Sequence, residues 1–412
     1  MRMTRKILTR LQKVWERLHI AIYRHVYIPL IPVSRDVIVF ESMLGRGYTD
    51  SPRAIYESMR GEGRDLSYRC FWILDKENKK DASKIPGRRG ILIKNSFKYY
   101  RYMAKAKLWV FNTRQADHVI KRKNQVQIQT WHGTPLKLLG LDMEEVHMAG
   151  NGGIESYKAN FWRHSRRWDY LVSPSEYTDE IFERCFDFRK NMLHTGYPRN
   201  DILVNGNNED YIGKLKEKYK IPPDRKVILY APTWRDDESI ARGKYIFNPH
   251  LNFDKLYRAL KDRYVFLVKY HYLIAQKLDF SRFGGSIRSV DGDISELYLI
   301  SDMHMTDYSS TMFDYAVLHR PQIFYCYDLD TYYKNRGVYM DFEEEAPGPI
   351  IKDTDGLIEY LKAPRTGDYE DRYQRFMKKY THREDGKNSK RIGDLIDKIM
   401  KEGEACKSPK GE

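Results

Sequence analysis

The stretch Gln127–Gly140, QIQTWHGTPLKLLG, leaves an apolar strand, sets a histidine beside a tryptophan and turns at once through Gly-Thr-Pro. A histidine at the C-terminal end of a strand, on a turn stiffened by proline, is well placed for chemistry. The plain alternative is a hydrogen-bonded turn histidine, since loops carry function but most loop residues do not. The surroundings decide between the two. Short apolar runs alternate with amphipathic ones on both sides of this stretch. VIVFES, YRCFWIL, GILIK, AKLWVFN, VQIQTWHG, DYLVSPS and MLHTGYP read as strands, with helix-like segments such as SPRAIYESMR and SFKYYRYMAKA between them. Strands alternating with helices predict a mostly parallel sheet with helices on both faces.

The alternation restarts after residues 205–225 with KVILYAPTW, YVFLVKYHY, SIRSVDG, LISDMHMTDYSS and PQIFYCYD, and ends in a charged, helical tail over about 365–402. The chain therefore divides into a segment 1–33, a first doubly wound α/β domain over 34–208, a second over 209–402 that takes the C-terminal helices, and a tail 403–412. Open α/β sheets bind ligands beyond the carboxyl ends of their strands, so two such domains predict a cleft between them. The polar residues cluster at those strand ends: His132, Trp234-Arg235, His271, and Asp307 to Ser310. That clustering lifts His132 above the plain alternative.

A chain of 412 residues with 41% hydrophobic and 14% aromatic content is not a disordered protein. Its 72 Lys+Arg against 57 Asp+Glu, a net charge of +15, favours an anionic partner without naming one. Cys70, Cys185, Cys326 and Cys406 lie far apart with no CxxC pair, which argues against a zinc site or a disulfide framework and makes a reducing cytosol the default. No run approaches the roughly 18–20 apolar residues of a membrane span. Near the start, Arg2, Arg5, Lys6, Arg10, Lys13, Arg17 and Arg24 accompany a stripe of Ile7, Leu8, Leu11, Val14, Trp15, Leu18 and Ile22 at helical spacing. A basic helix with Trp and Leu on its apolar face fits an interfacial membrane anchor, and the alternative is a helix packed on its own domain.

In MTDYSSTMFDYAVL, Met305–Leu318, an Asp-Tyr-Ser-Ser turn opens an apolar helix. Ser309 or Ser310 can cap it and leave first-turn N–H groups for a phosphate, with Asp314 one turn on to hold a ligand hydroxyl; plain N-capping is the alternative. Lys269 and His271 point to the same side of a straight strand. Two strand-end histidines, one from each domain, can face each other as base and acid. Arg235 can form a bidentate phosphate contact, Arg199 stands at the end of the first domain, Asn112 is another strand-end polar group, and Asp307 heads the Ser-Ser turn. GxxxxGK[ST], GxGxxG, HExxH and the kinase motifs are absent, as is any nucleic-acid-binding module.

QTWHGTPLKLLG, GYPRND, YAPTWRDD, VKYH, SDMHMTDYSSTMFDYAVLHRPQIFYCYDLDTYY, RGVYMDFEEEAPGP and EDGKNSKRI together resemble the CDP-glycerol glycerophosphotransferase family of teichoic acid primases and polymerases, in that family's order and over most of the chain after about residue 36. The resemblance implies a GT-B fold of two Rossmann-like domains, 34–208 for the acceptor and 209–402 for the CDP-alcohol. It implies transfer of glycerol phosphate from CDP-glycerol, or a related polyol phosphate from CDP-ribitol, to an undecaprenyl-linked saccharide or polyol-phosphate acceptor of teichoic acid or capsule, with release of CMP. His132 and His271 are then catalytic, Ser309, Ser310 and Asp314 hold the donor, and Gly133, Thr134, Asn112, Arg199, Arg235, Lys269 and Asp307 complete the substrate contacts. No cofactor or metal is called for; a basic cleft offsets the diphosphate charge. The enzyme is expected as a peripheral protein on the cytoplasmic face of an anionic membrane, without a nucleic-acid partner and with a homo-oligomer left open. Two rivals remain: a GT-B glycosyltransferase using a nucleotide sugar, and a non-catalytic basic protein that binds membranes or nucleic acid.

Overall fold

The computed structural model describes residues 14–87, 89–145, 153–233, 239–241, 244–246, 250–270, 274–276, 278–329, 332 and 337–401. Seven strands form the first sheet: β1 Ser34–Glu41, β2 Arg69–Leu74, β3 Arg89–Ile93, β4 Ala106–Phe111, β5 Val126–Gln129, β6 Tyr170–Ser173 and β7 Asn191–His194. Their order is β3-β2-β1-β4-β5-β6-β7, and every neighbouring pair is parallel. The near-continuous apolar runs noted above match a sheet covered on both faces. The chain winds outward from β1 to β3 and returns to the other side of β1 at β4. That reversal places the topological switch point at the carboxyl ends of β1 and β4, where open sheets of this kind hold ligands.

In the second half, β8 Lys226–Tyr230, β11 Tyr264–Val268, β13 Ile287–Ser289, β14 Met303–Thr306, β15 Gln322–Tyr325 and β16 Ile350–Ile351 form a sheet of order β13-β11-β8-β14-β15-β16, again parallel throughout. Its switch point lies between β8 and β14. Three short strands, β9 Ser239–Ala241, β10 Lys244–Ile246 and β12 Ile274–Gln276, pair in a separate small sheet that the apolar pattern does not signal.

One face of the first sheet is covered by the helix Asp50–Gly61 through Ile55, Tyr56 and Met59. On the other face lies the helix Phe97–Lys105, started by Ser96, whose Oγ accepts the Tyr99 N–H at 3.1 Å. The C-terminal helix Asn388–Lys401 departs from the grouping by sequence. Ile392, Ile396, Ile399 and Met400 pack with Ile38 and Val110 of the first sheet and Ile55 of the helix on it, not with the second sheet. An apolar stripe at helical spacing records that a face is buried but not against which sheet, so the boundary at 208/209 misassigns this helix.

Residues 14–22 are helical and continue into a π-helical turn at Tyr23–Tyr27. Tyr23 is buried, and its hydroxyl donates to the Ile120 carbonyl at 2.8 Å, so this end is docked on the first sheet. Val14, Trp15 and Leu18 instead face outward, with Trp15 55% exposed. The basic residues 2, 5, 6, 10 and 13, with Ile7, Leu8 and Leu11 of the stripe, lie outside the described residues. Among the described residues no helix is long and apolar enough to cross a membrane.

Candidate active site

His132 follows β5 on a turn whose backbone is unusual. Trp131 takes a left-handed conformation (φ 52°), uncommon for a bulky side chain. Its N–H donates to Gln129 Oε1 at 3.0 Å, and the indole is held among Trp168, Phe182 and Phe186. The indole stacks on the His132 ring, with centroids 4.4 Å apart. The wall behind the ring therefore carries it outward, and His132 is exposed where most of this turn is buried. Surrounding protein disfavours the imidazolium first; Asp50 partly offsets that, while Arg199 and Arg114 repel the positive form, and the pKa is lowered to about 4. At neutral pH the ring is an unprotonated base.

The next residues tie this turn to the second half. A Cβ placed on Gly133 would lie 2.8 Å from Ser310 Oγ, so the His-Gly turn and the Ser-Ser turn are in contact. Beyond the buried Thr134, Leu136 enters the second half's apolar cluster with Tyr308, Met312 and Phe313. Lys137 pairs antiparallel with Val338, and Gly337 (φ 61°) leaves no room for a side chain against Leu138. Gly133→Ala is expected to destabilise by about 1 kcal/mol, the lower end for overpacking because a serine hydroxyl can rotate away. Urea unfolding checks this, and the added change Ser310→Gly should recover the loss. If single and double variants unfold alike, the two turns are not in close contact.

Arg199 and Asp314 do come together, but on each other. Arg199 Nη2 bonds both carboxylate oxygens of Asp314 at 2.9 and 3.0 Å, and Nη1 reaches Asp50 at 3.3 Å. All three side chains are nearly inaccessible. Burial opposes the guanidinium charge, but Asp314 and Asp50 overcome it and raise the Arg199 pKa. Asn200 Nδ2 donates to Asp314 Oδ1 and to Glu384 Oε1, each at 3.0 Å. Glu384 also accepts the Tyr197 N–H at 2.9 Å and Asn388 Nδ2 at 3.1 Å, and desolvation pushes its carboxyl up to about 8. An ion-pair knot thus joins the Pro198–Asn200 turn, the helix Thr311–Ala316 and the C-terminal segment.

The Ser-Ser turn departs from the capping expectation. Ser310 occupies the N-cap position without a side-chain cap bond, and Ser309 Oγ accepts the Thr311 N–H at 3.3 Å. The helix has only six residues, so its dipole is small. Asp307 Oδ1 accepts the Thr233 N–H at 2.9 Å across the second sheet's switch point. Lys269 Nζ donates to the Gly292 carbonyl at 2.9 Å. Asn112, fully buried at the first switch point, accepts the Met43 N–H at 2.8 Å and so orders the loop after β1. His271, Trp234 and Arg235 lie outside the described residues. A cavity of about 240 Å³ is lined in part by Arg199 and Arg53, and Arg53 is already paired, with Asp293 at 2.9 Å and with Glu57 at 3.0 Å.

Asp50, Glu384 and Asn200 are site residues that motif reading missed. Asp50 carried one local signal, an acidic residue at a helix start; its left-handed φ of 62° is visible only in the structure.

This chain is 44% identical over 377 residues to the teichoic acid poly(glycerol phosphate) polymerase of Staphylococcus epidermidis, covering 90% of this chain and 52% of that one, about half its length. It is 40% identical over 395 residues to the protein of the same name from Bacillus spizizenii, covering 95% of this chain and 98% of the other. A variant of the wall teichoic acid polymerase TagF, soaked with CDPG, superposes with a TM-score of 0.86 at 40% identity, over 97% of this chain and 98% of that one. Residues 22–398 match a single family throughout, and the chain belongs to the CDP-Glycerol:Poly(glycerophosphate) glycerophosphotransferases.

Proposed function

We propose that the protein transfers glycerol phosphate from CDP-glycerol to a hydroxyl of a lipid-linked teichoic acid or capsule acceptor, releasing CMP. The observation that carries this reading is the contact between Gly133 and Ser310, which brings the turn bearing a neutral imidazole from the first sheet against the switch-point loop of the second. The acceptor oxygen attacks the phosphorus that bears glycerol, the bond to the bridging oxygen breaks, and CMP leaves in line. His132 takes the hydroxyl proton. His271, two residues beyond Lys269, protonates or stabilises the departing phosphate. Such a transfer needs positioning and charge neutralisation more than covalent chemistry. Ser309, Ser310, Asp307, Lys269 and Arg235 would hold the donor; Gly133 and Thr134 shape the acceptor side. The reading implies a GT-B arrangement in which the two sheets face each other across the cleft.

Supplying CDP-glycerol, CDP-ribitol and nucleotide sugars with a lipid-linked acceptor and measuring CMP tests this. No CMP from any CDP-alcohol sinks the transferase, and release of a nucleoside diphosphate from a nucleotide sugar instead would make the protein a glycosyltransferase.

The same reading makes the protein peripheral on an anionic membrane, through residues 1–33. Exposed Val14, Trp15 and Leu18 support it. Deleting residues 1–33 removes Tyr23, which is docked in the first core, so the informative truncation stops before it. A variant lacking residues 1–18 is expected to keep turnover on a water-soluble acceptor and to leave anionic vesicles. Each basic group near such a surface contributes roughly 1 kcal/mol, screened beyond about 8 Å at physiological salt. Binding of the intact protein should therefore weaken with salt in co-sedimentation. Equal binding of both forms would put the anchor on the folded sheets.

A further inference from the structure

The turn after β4, Asn112-Thr113-Arg114-Gln115, carries a half-buried arginine that no described carboxylate contacts, although Asp117 and Tyr157 act on its charge from a distance. The Arg114 guanidinium carbon lies over the Phe161 ring, 3.6 Å from its centroid, and the side chain makes no hydrogen bond or ion pair with any described residue. The acid nearest in sequence, Asp117, is already taken: its Oδ1 meets His164 at 2.7 Å and its Oδ2 meets Arg163 at 3.2 Å. Desolvation lowers the Arg114 pKa, the reverse of the paired Arg199. Stacking covers one face of the guanidinium while its nitrogens keep access to solvent, so they are free of protein acceptors and open to an anion. Such a group is explained when a ligand supplies the anion.

Its position identifies the ligand. Gln129 fixes the turn to the histidine: Nε2 donates to the Thr113 carbonyl at 3.2 Å, while Oε1 accepts the Trp131 N–H at 3.0 Å. Below this clamp runs one aromatic wall. His132 stacks on Trp131 at 4.4 Å, Trp131 meets Phe186 edge-on at 4.8 Å, Phe186 is parallel to Phe161 at 5.9 Å, and Arg114 caps Phe161. The base and the unpaired cation therefore sit on the two ends of the same wall, the cation at the first sheet's switch point after β4 and the base after the adjacent strand β5. The Ser-Ser turn, which would serve the donor, belongs to the other half.

We propose that Arg114 is a phosphate-ester subsite on the acceptor side, gripping the phosphodiester that precedes the hydroxyl which His132 deprotonates. This rests on the transferase reading above. A growing polyol-phosphate chain carries one such anion a single polyol away from its terminal hydroxyl. Holding it sets the reach of that hydroxyl to the donor phosphorus and distinguishes a phosphate-ended acceptor from a neutral saccharide one.

The test uses the full-length protein as wild type, Arg114→Gln and Arg114→Lys. CMP release is measured with CDP-glycerol and two soluble acceptors, one ending in a glycerol phosphodiester and a matched neutral one. Losing one charge-assisted contact to phosphate should raise KM for the phosphodiester acceptor about 10- to 100-fold. KM for CDP-glycerol and for the neutral acceptor should not change, and Arg114→Lys should recover part of the loss. A merely structural stack on Phe161 would lower the unfolding midpoint without this split. An equal rise for both acceptors, a rise in donor KM, or no rise at all overturns the proposal. Calorimetric titration with glycerophosphoglycerol, without donor, separates the two readings. If the wild type binds the diester and Arg114→Gln does not, yet no CMP appears, the subsite stands and the transferase falls. If the diester binds both equally, or neither, the subsite falls.

Discussion

His132→Ala is expected to lower turnover by a factor of about 10² or more while leaving the fold intact, the scale for losing a positioned acid–base group. The fold should survive because the ring is exposed and its stacking partner is held by other residues: Trp131 keeps Trp168, Phe182 and Phe186 whether or not an imidazole lies on it. The pH dependence separates a base from a packing residue. The protein walls crowded around the exposed ring desolvate it, and with the repulsion of Arg199 and Arg114 set against the attraction of Asp50 they lower the His132 pKa from 6.5 to about 4. A lowered pKa keeps the imidazole neutral as the solution is acidified, so the acid limb of kcat/KM should fall below the ordinary histidine range. The linkage has the same sign. The unfolded chain binds this proton more readily, so stability contributed here is complete above about pH 6.5 and is lost as pH falls toward 4. Near-normal turnover in His132→Ala, or an acid limb at or above 6.5 that the substitution leaves in place, would return the ring to a structural part. His271→Ala is expected to show a loss of similar scale.

The parallel sheets were legible because runs such as VIVFES and YVFLVKY are too short for helices, too apolar for loops and regularly separated by amphipathic segments. Strand ends then picked out His132, Asn112 and Asp307 from the pattern alone. What pattern could not supply was partnership. Ile350–Ile351 is a two-residue strand that exists only because β15 lies beside it. The helix Asn388–Lys401 reads as amphipathic either way, and only the fold says that Ile392 and Ile396 cover the first sheet. Arg199 and Asp314 each read as ligand contacts, since a strand-end arginine and a first-turn aspartate are common ones. That they satisfy each other across 115 residues is a tertiary fact. Arg114 shows the converse: in WVFNTRQ it is one more charged loop residue, and its isolation emerges only once Asp117 is seen to be occupied.

Asp314→Ala should chiefly destabilise the protein, by about 3–5 kcal/mol, because it strips a partner from a buried ion pair and leaves the other charge uncompensated. The contact is strong in kind: both carboxylate oxygens bond Arg199 Nη2, and Asn200 Nδ2 adds a third bond. Removal would leave Arg199 with Asp50 alone, at the longer distance of 3.3 Å, and would free the Pro198–Asn200 turn that Glu384 also holds. Since that turn ties the helix Thr311–Ala316 to the C-terminal segment, the loss should appear as a lower urea midpoint with a single cooperative transition, not as a local change beside Ser310. Asp314→Asn, which keeps the shape but not the charge, should fall between. The pair Arg199→Met with Asp314→Leu removes both charges together and should recover much of the stability, because replacing a buried ion pair by apolar side chains of similar volume is often neutral. A different outcome would restore the motif reading: if Asp314→Ala unfolds like the wild type while KM for CDP-glycerol rises, the carboxylate turns from Arg199 to the donor when substrate binds. The knot would then open during turnover, and its stability would limit how readily the two halves part.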